Sequence, residues 1–280
     1  GSFGVLIQWM NGEMLVLNQI IFRYFLAVLL LLLILAITRP KLKTIKKSWS
    51  VLLAFSIITQ VSIWSFTKGA VLTTIPSLLG SFYIGSIVTG TILGFTVFLE
   101  KLALKNWIGT LIAIVGLYVL SQNSIGNQGV LYGLAAGSTE CITQAIRKYL
   151  GGVSRGVILL TSIMGVLVVS LVFAQIGGQD LVIPQLTTTW IAGGIFALLV
   201  GVVNVTVTYG FRLLPMNVGT VIMSAEIFFG ALFSTLFLSA SPTGLELFAS
   251  VTVILSILIQ NWIIRDDNKL VCSIRKILED

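Results

Sequence analysis

Two carboxylates lie inside long apolar segments, where an ionisable side chain is costly. Glu140 lies near the middle of segment 129–149, and Glu226 lies near the middle of segment 217–238. A charged group at the centre of a bilayer costs about 2.5–3.5 kcal/mol on insertion scales, so such residues are rare and often functional. We expect one of them to bind a cationic or amino group or to carry a coupling proton. The alternative is a structural glutamate that pairs or hydrogen-bonds to hold helices together.

Each glutamate shares a helical face with small or polar residues. The shared faces, at spacings of three and four, contain Gly133, Gly137, Gln144 and Arg147 for the first glutamate, and Gly219, Met223, Gly230 and Ser234 for the second. Such spacing keeps side chains on one face of an α-helix. Small residues let helix backbones approach closely, and the same stripe could line a water-filled path.

Further polar and aromatic side chains follow single faces of other apolar segments, where they would suit a small amphipathic ligand. The full set of candidates for substrate binding or coupling is Glu140, Glu226, Gln144, Gln60, Trp64, Tyr83, Asn204, Thr208 and Gln8. For the amides, a hydrogen bond across a helix contact is the alternative role. We expect Arg23, near the outer end of its segment, to snorkel or to cap a helix contact. Glu100 and Lys101 are expected to form a solvated pair in a loop.

The composition excludes several classes of active site. The chain has no histidine and two cysteines, Cys141 and Cys272, so a Ser-His-Asp or Cys-His site is impossible, and neither a metal cluster nor a disulfide framework is expected. It has no GxxxxGK[ST] loop to bind ATP phosphates. We therefore expect no enzyme activity and no cofactor. A membrane-embedded enzyme built on the two glutamates is a minor alternative.

The chain is too apolar for an ordinary water-soluble domain. Hydrophobic residues make up 56% of it, charged residues 10%, and the mean hydropathy is +1.05. Soluble domains are about 45–50% apolar and about 25% charged. The lipid bilayer is therefore the expected partner of most of the surface. The net charge of +7 does not indicate nucleic acid, because the basic residues lie in short loops between apolar segments.

Charged and turn-rich stretches divide the chain at the interval expected of membrane helices, which need about 20 apolar residues to cross about 30 Å. The predicted spans are 15–37, 49–67, 73–97, 103–121, 129–149, 156–176, 189–211, 217–238 and 243–263. Residues 1–10 are expected to end a tenth helix that is cut short at its N-terminus. Runs such as Leu26–Ile37 are apolar at every position, which indicates helices rather than barrel strands.

The basic residues predict the orientation of these spans. All of the 17 lysines and arginines except Arg23 and Lys68 lie in or next to alternate connections or in the C-terminal tail. Because short cytoplasmic loops carry the excess of basic residues, both termini are expected in the cytoplasm. The protein would then be a multi-pass protein of the plasma or inner cell membrane.

An internal repeat is also indicated. Trp49 to Gly69 begins a segment that recurs at Trp190 to Gly210. Two halves of five spans each would have opposite orientations, as in the inverted repeats of many secondary transporters. Chance similarity between apolar helices is the alternative. The predicted organisation is a first repeat at 1–121, a linker at 122–128, a second repeat at 129–263 and a cytoplasmic tail at 264–280.

A set of short motifs in fixed order resembles the drug/metabolite transporter superfamily, in its EamA-like family. The motifs are Phe22-Arg23-Tyr24-Phe25-Leu26-Ala27, Gly69-Ala70, Phe98-Leu99-Glu100-Lys101, Trp107-Ile108-Gly109, Ile114-Val115-Gly116, Ser224-Ala225-Glu226, Phe237-Leu238 and Pro242-Thr243. The resemblance implies an all-α membrane protein with about ten helices in two inverted five-helix repeats around a central cavity. It also implies transport of amino acids, amines or drugs. One departure is Ala240, which stands in the second half where the first has Glu100.

The function expected from these observations is secondary transport of small organic metabolites by alternating access, with export as the expected direction. The partners would be the bilayer, a small-molecule substrate and, in one coupling mode, protons. A sugar or nucleotide-sugar carrier of the same superfamily is the alternative. Phosphate-bearing substrates usually require buried lysine or arginine, and only Lys68 and Arg23 approach membrane depth in the predicted spans.

Overall fold

The regular secondary structure is helical throughout the part of the chain that the computed structural model describes, residues 2–38, 48–100, 104–122, 128–150, 153–238 and 243–261. The helices in these ranges, in chain order, are α1 (Ser2–Asn11), α2 (Val16–Thr38), α3 (Trp49–Leu72), α4 (Ile75–Thr96), α5 (Leu104–Gln122), α6 (Gln128–Tyr149), α7 (Arg155–Ile176), α8 (Thr187–Leu213), α9 (Met216–Met223), α10 (Glu226–Leu238) and α11 (Gly244–Asn261).

Six segments among the described residues are long and apolar enough to cross a membrane, which confirms the prediction of an all-helical membrane protein. They are Val16–Ile37, Trp49–Leu72, Ile75–Thr96, Gly156–Ile176, Thr187–Phe211 and Met216–Leu238. The apolar parts of α5 and α11 are shorter, Asn106–Val119 and Leu247–Ser256. Within the described residues, each of the nine predicted spans coincides with helix, and only 217–238 is divided between two helices. Ten spans in two inverted repeats stay a prediction.

Proline and glycine mark several helix boundaries. Pro76 occupies the first turn of α4, where a missing N–H costs nothing and the fixed φ favours the helix. Pro215 directly precedes α9. After α7, Gly178 has a φ of +62°, the left-handed conformation that commonly ends a helix and that glycine adopts without strain.

Helix α6 packs closely between α3 and α4. A Cβ atom at Gly137 would overlap the backbone carbonyl of Phe82, and one at Gly85 would overlap the carbonyl of Leu134. A Cβ at Gly133 would overlap the Ser81 hydroxyl. The glycines of the predicted α6 stripe therefore allow backbone contact with α4.

The segment after α4, the last turn of α6 and the connection between α8 and α9 meet around Glu100 at one end of the bundle. Its Oε1 lies 2.6 Å from the Lys148 ammonium, and its Oε2 accepts a hydrogen bond of 2.9 Å from the Met216 backbone amide. The same ammonium donates to the Leu214 carbonyl at 3.2 Å. The prediction of a solvated pair between Glu100 and Lys101 is wrong for the glutamate, because its carboxylate caps α9 instead; Lys101 lies outside the described residues.

At another point the α1–α2 turn meets the connection between α7 and α8. The Glu13 carboxylate accepts hydrogen bonds from the backbone amides of Gln185 and Leu186, the latter at 3.0 Å. The Thr189 hydroxyl and these two amides stabilise the carboxylate and lower the pKa of Glu13. A negative charge here also suits the positive N-terminal end of α8. The Asn18 amide donates to the Asp180 carbonyl at 3.1 Å in the same region.

The close α4–α6 contact makes the glycine at 137 sensitive to a single added methyl group. We expect Gly137→Ala to destabilise the protein by about 1–3 kcal/mol, the usual cost of overpacking, because the new methyl would meet the rigid Phe82 carbonyl. Gly201→Ala is the control, since no atom lies within 4 Å of a Cβ there. Thermal unfolding in detergent measures both. Equal melting temperatures for the two variants would contradict the close contact.

The Glu13 cap predicts a pH-dependent contribution to stability. Because its pKa is lower when folded, the stabilisation is present above the unfolded pKa of about 4.3 and is lost as pH falls through the folded pKa. Glu13→Gln should therefore lower the melting temperature at pH 7, with the difference from wild type shrinking in acid. Asp180→Asn, an acid in the connection that contacts Glu13, is the control and should show no such convergence. A pH-independent Glu13→Gln deficit would exclude the cap.

Candidate functional site

A cavity of about 870 Å³, measured out to its mouth, lies inside the bundle. Its apolar wall consists of Phe3, Ile7, Ile63, Phe66, Phe82, Phe196, Val200, Val203, Val207 and Met223. Its polar wall consists of Arg23, Tyr24, Thr59, Ser62, Thr67, Tyr83, Glu140, Gln144, Arg147, Ser162, Asn204 and Glu226. The wall combines two arginines with two glutamates.

Glu140 faces the cavity from α6 and is held from two sides. One carboxylate oxygen accepts a hydrogen bond of 3.2 Å from the Ser62 hydroxyl on α3. The other accepts a hydrogen bond from the Gln144 amide, one turn further along α6. Ser62 also donates to the Ala136 carbonyl at 3.1 Å. The glutamate therefore links α3 to α6 while its side chain lies in the cavity wall.

Arg147 lies one further turn along the same face of α6. It is 4% exposed, and its guanidinium donates to the Gln144 amide oxygen at 3.1 Å and to the Asn204 amide oxygen on α8 at 2.6 Å. The guanidinium also lies 5.4 Å from the centre of the Phe55 ring. The sequence analysis counted Arg147 among the basic residues of a connection. That assignment is wrong, because the last turn of α6 is enclosed by neighbouring helices.

Arg23 is fully buried, with 0% of its surface exposed. Its guanidinium donates to the Gln19 carbonyl at 3.1 Å and to the Thr67 hydroxyl on α3 at 2.8 Å. It also lies 4.2 Å from the centre of the Phe196 ring on α8. Snorkelling toward the membrane surface is therefore wrong for this residue, because the face of α2 that carries it points inward, between α3 and α8.

Glu226 lies at a break in the chain between α9 and α10. Ser224 and Ala225 form a turn there, and the Ile227 amide donates to the Ser224 carbonyl at 3.0 Å. Glu226 is the first residue of α10, and the N-terminal end of a helix favours a negative charge. It accepts a hydrogen bond from the Tyr83 hydroxyl on α4. The sequence predicted one continuous span here, and no proline or glycine marks the break.

The structure brings five of the nine predicted site residues together in the cavity wall. These are Glu140, Glu226, Gln144, Tyr83 and Asn204. The sequence analysis did not place Arg23, Tyr24 or Arg147 in a site, although all three line the cavity. The sequence analysis had put Arg147 on the helical face of Glu140 and Gln144 without naming it as a site candidate, and that spacing is the signal that marks it.

The other four predicted site residues lie outside this wall. Trp64 packs edge-on against Tyr132, with ring centres 5.5 Å apart. Thr208 donates to the Asn204 carbonyl at 2.7 Å, and Gln8 donates to the Ala70 carbonyl at 3.3 Å. Gln60 is 1% exposed, and its amide has no hydrogen-bond partner among the described residues.

Comparison with known proteins shows similarity in fold. No family model matches the chain, and no curated protein matches it. Solved structures do match, with 28 chains similar to this one. One, described only as "Crystal structure of protein", has a TM-score of 0.74 and 13% sequence identity over 94% of this chain and 96% of that chain. At this identity the likeness concerns the fold alone.

The bond between Arg147 and Asn204 predicts a cost for removing the amide. We expect Asn204→Leu to destabilise the protein by about 1–3 kcal/mol, because it leaves a buried guanidinium donor unsatisfied. Thr206→Val is the matched control on α8, since its exposed hydroxyl donates to a carbonyl of its own helix, that of Val202. Thermal unfolding in detergent compares the two. An Asn204→Leu protein as stable as the control would argue against the bond.

Proposed function

We propose that this protein is a secondary transporter of small organic metabolites and a member of the drug/metabolite transporter superfamily, in its EamA-like family. The observation that carries the proposal is the cavity wall, in which Arg23, Arg147, Glu140 and Glu226 are enclosed by apolar helices. Charged groups at such depth are costly and usually serve a substrate or ion path. A wall of mixed charge and aromatic surface suits a small amphipathic solute.

The source of the wall residues also supports transport. Helices α1 to α4 from the first half of the chain and α6 to α10 from the second half all contribute to it. In secondary transporters built from inverted repeats, the substrate lies between the repeats and next to a broken helix. A turn at Ser224 and Ala225, directly before Glu226, interrupts the span Met216–Leu238 at the cavity wall. Alternating access would follow from movement of one half against the other.

The proposed setting is the plasma or inner cell membrane with both termini in the cytoplasm. The clustering of lysine and arginine in alternate connections supports this orientation. The end of the bundle that holds Lys148 would then face the cytoplasm. Export is the proposed direction, with proton coupling through Glu140 or Glu226 as one mode.

A sugar or nucleotide-sugar carrier is the second candidate, and one observation favours it. The cavity contains two buried arginines, Arg23 and Arg147, where the sequence indicated one. Guanidinium groups bind phosphate well. The two glutamates in the same wall would repel a phosphate, so the uncharged and zwitterionic metabolites remain the preferred class. A membrane-embedded enzyme stays a minor alternative.

Transport into liposomes tests the proposal. We expect saturable uptake of at least one amino acid, amine or neutral metabolite by the wild-type protein, measured with and without a pH gradient. Glu140→Gln and Glu226→Gln should reduce the initial rate at least about tenfold, as expected when a charged hydrogen-bonding group is lost at a binding site. The reconstituted amount of each protein should stay unchanged.

Asp180→Asn is the control, because this acid lies outside the cavity wall and should leave the rate unchanged. Full transport by both glutamine variants would contradict the role of the glutamates. Ion currents without saturable movement of any solute would favour a channel instead.

A further inference from the structure

The Arg23 guanidinium carries a positive charge that its protein partners do not neutralise. Its hydrogen bonds go to the Gln19 carbonyl and the Thr67 hydroxyl, and its flat face lies over the Phe196 ring. All of these groups are uncharged. Its Nη1 atom is buried and has no hydrogen-bond partner among the described residues. Because the side chain lines the cavity, a ligand there can supply the partner that this donor lacks.

The second arginine of the cavity makes as many hydrogen bonds, and its Nε likewise has no partner among the described residues, but it lies near a counter-charge. Arg147 donates to two amide oxygens, those of Gln144 and Asn204. The Gln144 amide in turn donates to the Glu140 carboxylate, so a negative charge lies one amide away. Burying a charge without a counter-charge is costly. Of the two arginines, Arg23 is therefore the one that most needs a negative charge from a bound solute.

We propose that Arg23 binds a carboxylate of the transported solute, an assignment that rests on the transport function proposed above. A guanidinium presents its donors in a rigid fork that matches the two oxygens of a carboxylate. The bonds to Gln19 and Thr67 and the contact with Phe196 fix the plane of this fork. The fork is therefore held in one orientation, and its unpaired Nη1 donor is the position for an anionic oxygen.

The rest of the cavity indicates what else the solute carries. The Glu140 carboxylate lines the same cavity as Arg23. A zwitterion that binds Arg23 through its carboxylate would place its amine toward this glutamate. Apolar side chains form much of the remaining wall. The substrate class is therefore small amino acids with an apolar side chain.

Binding to the detergent-solubilised protein tests the assignment by isothermal titration calorimetry with three probes. L-Leucine carries both charges, L-leucinamide lacks the carboxylate, and 4-methylpentanoate lacks the amine. We expect leucinamide to bind about 10- to 100-fold more weakly than leucine, because it leaves the Arg23 donor without an anionic partner. 4-Methylpentanoate should bind more weakly than leucine but should still depend on Arg23.

Variants separate the role of the arginine from its effect on folding. Arg23→Gln should bind leucine and leucinamide with equal affinity, and Arg23→Lys should keep part of the preference for leucine because it keeps the charge. Lys68→Gln is the matched control, since Lys68 follows Thr67 on α3 but does not line the cavity. It should bind all three probes as the wild type does.

Two results would overturn the carboxylate assignment. One is equal affinity of the wild-type protein for leucine and leucinamide. This result overturns the assignment even if the Arg23 variants do not fold. The other is failure of the wild type to bind leucine or 4-methylpentanoate. In that case, saturable liposome transport of a solute without a carboxylate would still support the transport proposal. Binding of leucine without transport of any solute would instead support the Arg23 site and contradict the transport function.

Discussion

Charge enclosed by apolar helices has to be satisfied by those helices, and this requirement ties the central elements to one another. The Arg23–Thr67 bond joins α2 to α3, and the Glu140–Ser62 bond joins α6 to α3. Arg147 connects α6 to α8 through Asn204. Tyr83 connects α4 to the start of α10 at Glu226. The polar groups that line the cavity are therefore also the groups that set the positions of its walls.

Helix α6 shows how this requirement and close packing work together. It has the length of a membrane span but is less apolar than its neighbours, and it does not count among the six spanning segments. Its glycines bring it against α4, while Glu140, Gln144 and Arg147 face the cavity. Because α3, α4 and α8 pack around it, much of its surface meets protein rather than lipid. A helix in that position can carry polar residues that a lipid-facing helix could not.

The helices and part of the candidate site could be predicted from the sequence alone. Continuous apolar runs located the spans, and the cost of burying a carboxylate singled out Glu140 and Glu226, both of which line the cavity. Arg23 and Arg147 were misplaced because both lie toward the ends of their helices, where a basic side chain can reach water. Which way such a residue faces depends on how the helix is rotated against its neighbours. That rotation is set by tertiary contacts, which no single segment records.

The break before Glu226 and the cap at Met216 were missed for a related reason. Ser224 and Ala225 are both tolerated inside helices, so neither residue marks an interruption. Glu100 comes shortly after the end of α4, a position that is also typical of a solvated glutamate in a loop. Its partners, Lys148 and Met216, come from distant parts of the chain. Sequence patterns report local preference, whereas these features arise where separate segments converge.

The arrangement around Glu100 has a consequence for motion. One carboxylate holds both the Lys148 ammonium and the Met216 amide, and that ammonium also holds the Leu214 carbonyl. Widening this end of the bundle would pull the α9 amide and the Lys148 ammonium away from the one carboxylate that holds both. Each would then need another partner, such as water, so the charge of Glu100 opposes opening at this end.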